Sequence, residues 1–148
     1  MKKSIAISAC LLGEKCRYDA NDNKNERLLK ALDGHKLIAF CPEAEAFGIP
    51  RATMDLVQTP VGKRAISNKT NKDLSKPIEE YAKIFFDSHL DIDLFIGKER
   101  SPSCGVTSAR LYDEMKNLIS SKETGLMAKE AKNRKITCID AEKFIGIS

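Results

Sequence analysis

The 148-residue chain is defined first by what it lacks. Its five cysteines are an odd number, a poor fit to a framework of disulfides. No two of them form a C-x-x-C pair, so any metal must be held by thiols distant in sequence. Its eight glycines never fall into G-x-G-x-x-G, which removes the dinucleotide fingerprint of flavin and nicotinamide enzymes. No apolar run approaches the ~18–20 residues of a membrane-spanning helix. The start, "MKKSIAISAC", has two lysines and a small residue before a cysteine. Its apolar stretch is nevertheless shorter than the ~7–15 residues of a signal sequence. Without an export signal, a cytoplasmic location is expected, where thiols stay reduced. The net charge of +4 comes from scattered lysines without a basic block, which gives no basis for naming nucleic acid or a membrane as partner.

What is present reads as alternating strands and helices in one domain, residues 1–148. Ser4–Ser8, Lys36–Phe40, "DIDLFIG" and "KITCID" are strand-like runs. "NERLLKALDGH" reads as a helix with Leu28, Leu29 and Leu32 on one face, closed by Gly34. "SKPIEEYAKIFFDSHL" is the clearest helix: Pro77 lies in its first turn, Ile78, Ala82 and Phe85 share a face, and Glu79–Lys83 is an i,i+4 pair. "TGLMAKEAKNR" is a further helix. "MDLVQTPVGKRAISN" suggests a hairpin around Pro60–Gly62. The segment after Cys41 reads as a loop, and Ser108 to Lys122 is ambiguous. Strands separated by helices imply right-handed crossovers. The expected fold is α/β, a three-layer arrangement with a mainly parallel sheet, Rossmann-like or flavodoxin-like.

That topology bears on the cysteines. Cys10, Cys41 and Cys104 each follow a strand, so all three are expected at the carboxyl edge of the sheet, where open α/β folds bind ligands. Cys138 lies inside "KITCID" and reads as a buried core residue. Cys16 follows Cys10 by six residues in the same loop. His35 and His89 precede strands and belong at the opposite edge, which argues against a Cys–His nucleophile pair or a Cys/His zinc site. Three thiolates without histidine suit a soft metal. Structural zinc would want a fourth ligand, whereas a cubane iron–sulfur cluster on three cysteines leaves one iron open. By spacing alone, the three could also be small core residues.

The neighbours favour a site. Ser101, Pro102, Ser103 and Gly105 surround Cys104, and small residues let backbone approach an inorganic core. Glu43 stands two residues after Cys41, where a carboxylate can move protons, and either it or Glu45 is expected to face the site. Arg17, Tyr18 and Asp19 join the same rim, and Arg51 could supply a cation to an anionic substrate.

Together, "SACLLGEKCRYD", "FCPE…GIPR" and "KERSPSCG" resemble a bacterial family, formerly of unknown function, whose characterised members are thiouracil desulfidases. The resemblance spans about Ile5 to Val106. It implies an α/β fold, a 4Fe-4S cluster on Cys10, Cys41 and Cys104, and non-redox removal of sulfur from a small thiolated pyrimidine. It also implies Glu43, Ser101 and Ser103 as acid/base and hydrogen-bonding groups; Cys16, Arg17, Tyr18, Asp19 and Arg51 are candidates for the substrate from their place on the rim alone. Ala20 stands where the family's glycine follows "RYD", and "LYDEMKNLISSKETG" replaces a glycine-rich segment. Two other readings compete: a non-catalytic metal-binding or sensor module, and a sulfurtransferase carrying a persulfide on one cysteine, such as Cys16.

Overall fold

A continuous apolar run, Ile5 to Ile7, has no exposure at all, as a strand covered on both faces requires. It is the middle of β1 (Ser4–Ser8) in a computed structural model that describes residues 2–15 and 24–145. β1 pairs in parallel with β2 (Lys36–Phe40) on one side and β5 (Leu94–Gly97) on the other; β8 (Thr137–Asp140) extends the sheet beyond β5. The order is β2-β1-β5-β8, all parallel.

The pleat divides the core between two faces. Ile5 and Ile7 point to the side of α1 (Glu26–Ala31), packing in one cluster with Leu28, Leu32 and Phe144. Ala6 points the other way, to Phe40, Phe86, Phe95 and Met127 beneath α3 (Ser75–Ser88) and α4 (Leu126–Asn133). Phe40 and Phe95 stack at 4.8 Å on that face. Helix, sheet and helix make the three layers expected. Of the predicted α1 stripe, Leu28 and Leu32 are buried, while Leu29 is only half-buried.

A second sheet, in the order β4-β3-β6-β7, was not foreseen. The predicted hairpin forms half of it, β3 (Met54–Thr59) antiparallel to β4 (Gly62–Ser67). The ambiguous segment forms the other half, β6 (Ala109–Tyr112) and β7 (Leu118–Glu123), and β6 joins β3 in parallel. Ile78 at the start of α3 packs against Met54, Leu56 and Leu111, so one helix serves both sheets. Glu79 of that helix ion-pairs with Arg64 of β4 at 3.4 Å. The segment after Cys41, read as a loop, is a short helix, α2 (Pro42–Phe47), with proline at its start. Among the described residues no helix is long and apolar enough to cross a membrane.

Candidate functional site

The chain leaves β1 toward β2 and later returns to place β5 on the other side of β1. The strand order therefore reverses between β1 and β5, where a parallel sheet opens a crevice at its carboxyl edge. Three of the four strand ends on that edge lead to a cysteine. β1 runs directly into a tight turn, Ala9–Leu12, that carries Cys10. β2 ends at Phe40, and Cys41 caps α2 with its N–H donated to the Tyr81 hydroxyl at 3.2 Å. β5 ends at Gly97, and the N–H of Lys98 donates to Ser8 Oγ at 3.0 Å, tying the ends of β1 and β5.

Cys104 lies on a loop held from several sides. Ser101 Oγ accepts from the N–H groups of Ser103 at 3.2 Å and Cys104 at 3.0 Å. Buried Asp140, at the end of β8, accepts from the N–H groups of Val106 (2.8 Å) and Thr107 (2.9 Å) and from Ser108 Oγ (2.8 Å). The first turn of α4 donates Leu126 N–H to Pro102 O at 3.0 Å and Met127 N–H to Ser103 O at 2.8 Å. Two glycines permit this approach: a Cβ at Gly97 would lie 1.8 Å from Cys104 O, and one at Gly125 would lie 2.5 Å from Ser103 C. Sequence reading passed over Asp140, Gly97 and Gly125, although each stands at the end of a strand or the start of a helix, where such contacts gather.

Cys10, Cys41 and Cys104 line one cavity of about 430 Å³, within the size range of small-ligand sites. Glu43, Arg51 and Ser101 line it too. Glu43 Oε2 accepts from Ser103 Oγ at 2.8 Å, and its Oε1 stands 3.7 Å from Arg51 Nε. Glu45 is exposed, so Glu43 is the carboxylate that faces the site. Ser103 is fully buried behind Glu43. Burial, foremost, pushes the Cys104 thiol well above its ordinary range; the charges of Glu43, Cys41 and Cys10 push the same way, and a hydrogen bond with Ser8 opposes them. Burial likewise raises the Tyr81 hydroxyl.

Cys16, Arg17, Tyr18 and Asp19 lie outside the described residues. Cys138 is half-buried rather than fully enclosed, packing against the core under α3 and α4. The histidines are at the amino edge: His35 Nδ1 accepts the Lys3 N–H at 3.0 Å, and His89 Nδ1 lies 2.8 Å from Phe85 O.

The donor set suits an iron–sulfur cluster. Three soft thiols come from three strand ends, with carboxylate and hydroxyl groups beside them. Among the described residues, no three His, Cys, Asp or Glu side chains close around a single ion.

The family model that matches residues 5–143 is that of 2-thiouracil desulfurase. The chain belongs to this family of enzymes. It is 28% identical over 144 residues to the uncharacterized protein YbbK of Bacillus subtilis (strain 168), covering 90% of this chain and 94% of YbbK. A solved structure of the 4Fe-4S-dependent thiouracil desulfidase TudS matches with a TM-score of 0.79 and 26% identity. That match covers 97% of this chain and 93% of TudS. The expected α/β class, the family and an enzymatic role are thereby borne out.

Proposed function

We propose that this desulfurase hydrolyses a thiolated pyrimidine, with Cys10, Cys41 and Cys104 holding a 4Fe-4S cluster. The observation that carries this reading is the convergence of those three cysteines on one cavity with Glu43. When bound, a cluster on three thiolates supplies a Lewis-acidic iron with a vacant position, matched to the soft sulfur of a thiocarbonyl.

The protein's own part is proton handling and orientation. Water adds to the thiocarbonyl carbon, the oxo-pyrimidine forms and sulfur leaves as hydrogen sulfide; no electron is gained or lost. Glu43 is the group placed to take the water's proton. Its Oε2 is fixed by Ser103, which leaves Oε1 for the proton, and Arg51 beside Oε1 holds the carboxylate toward the cavity. Ser101 keeps the Cys104 loop in shape through the two N–H groups it accepts and lines the cavity with its remaining hydroxyl capacity.

Anaerobic reconstitution followed by sulfide release from 2-thiouracil, 4-thiouracil and 4-thiouridine tests the reading. A brown protein with about four irons and acid-labile sulfide, active on at least one of these, is the expected result. Cys10→Ala, Cys41→Ala and Cys104→Ala should each abolish the cluster. A colourless zinc protein that purifies unchanged in air would overturn it.

A further inference from the structure

The cavity is lined by two further carboxylates, Asp55 and Glu99, that the scheme above does not use. Glu99 lines it, with a side chain only 11% exposed. Its Oε1 is held by Lys98 Nζ at 2.7 Å. Its Oε2 is buried and accepts no hydrogen bond among the described residues. A buried carboxylate oxygen is expensive to leave without a donor, so such an atom on a residue that lines the cavity calls for one from the occupant. Lys98 fixes the place of this acceptor, because its backbone N–H is tied to Ser8 at the end of β1 and its ammonium to Glu99 itself.

We infer that Glu99 is a specificity-determining residue whose Oε2 accepts a hydrogen bond from a ring N–H of the pyrimidine. The inference rests on the desulfidase reading and deepens it. A thiouracil-type ring in its thiolactam form offers only N–H groups as polar donors, while its oxygen and sulfur are acceptors. A carboxylate acceptor therefore reads the N–H face, and an N-alkylated ring at that position leaves Oε2 unmet. The pair Lys98–Glu99 also divides the work: the ammonium neutralises one oxygen and the other stays available to the ligand.

The test uses cluster-loaded protein and calorimetric binding of uracil, which carries both ring N–H groups, and of 1-methyluracil and 3-methyluracil, which each lack one of them; none of the three is consumed. Wild type should lose roughly tenfold to a hundredfold in affinity for one of the two methylated rings. Glu99→Ala should bind uracil weaker by a similar factor and no longer distinguish that methylated ring from the parent. Glu99→Gln, which keeps an acceptor oxygen and the side-chain shape, should fall between them. Iron content and melting temperature show that each variant is loaded and folded. Absence of uracil binding, equal binding of all three rings by wild type, or undiminished discrimination in Glu99→Ala would overturn the inference. Sulfide release by wild type is read separately, so failure of the desulfidase reading shows as a loaded protein without turnover.

Discussion

Gly97→Ala is a small change that should empty the site, since it adds one methyl group against the backbone of Cys104. The added Cβ would lie 1.8 Å from the carbonyl oxygen of Cys104 and 2.9 Å from its carbonyl carbon. Ordinary contact begins at 3.4 Å, so backbone must open from 1.8 to 3.4 Å, a shift of roughly 1.6 Å. β5 cannot supply that shift, because it is paired on both sides by β1 and β8. The Cys104 loop must move instead. Metal–ligand distances tolerate only about 0.2 Å, so the displaced thiol no longer reaches its place. Overpacking of this kind costs about 1–3 kcal/mol of stability. The variant should fold, lose that much in urea denaturation and bind less than a tenth of the wild-type iron after anaerobic reconstitution. Gly34→Ala is the control: nothing lies within 4 Å of its added Cβ, but its φ of +85° is unfavourable for alanine. It should cost about 1–2 kcal/mol and leave iron content untouched. A Gly97→Ala protein with full iron and wild-type stability would refute the argument that this close approach positions the ligand loop.

Asp140→Ala strips the acceptor from two backbone N–H groups and the Ser108 hydroxyl, and should destabilise the fold by about 3 kcal/mol or more in urea denaturation. Ser103→Ala frees Glu43 Oε2, so kcat for sulfide release should fall about tenfold to a hundredfold with iron content and KM near wild type. Cys138→Ala should cost about 1 kcal/mol and spare the cluster. Burial pushes the Cys138 thiol from 9.0 to about 11, so the folded state holds that proton more tightly than the unfolded chain. Its contribution to stability is complete below pH 9 and fades as pH climbs toward 11; urea titrations across that range should fall more steeply for wild type than for Cys138→Ala.

The strand ends that lead to the cysteines were legible because two apolar runs stop at or next to a thiol, the third reaches Cys104 through a short loop, and a parallel sheet puts all three ends on one edge. α2 was not legible. Pro42 and the early Glu43 and Glu45 are helix-start signals, but six residues ending in Gly48 give too little periodicity to separate a helix from a loop. The pairing of β3 with β6 has no local signal at all, since it joins segments some fifty residues apart through parallel register. β7 hid its strand character because it is largely exposed and carries no alternating apolar face. Glu99 shows the same blindness in the site. Flanked by Lys98 and Arg100, it reads as part of a solvated charge run, and only the folded loop shows one of its oxygens to be buried.

The arrangement around Ser103 sets the proposed ligand, Cys104, and the proposed base, Glu43, together. Ser103 lies next to the cysteine in sequence, and its hydroxyl reaches Glu43, sixty residues earlier on α2. Its carbonyl is held by the N–H groups of Met127 and Ala128 in the first turn of α4. Cys104 N–H is anchored to Ser101, and the residues just after it to Asp140. Each of these anchors belongs to a different element, and none needs the cavity to be filled. The distance between the Cys104 sulfur and the Glu43 carboxylate is thus fixed by packing behind the cavity. A carboxylate held in this way is preorganised, as the proposed role of Glu43 as base beside a cluster demands.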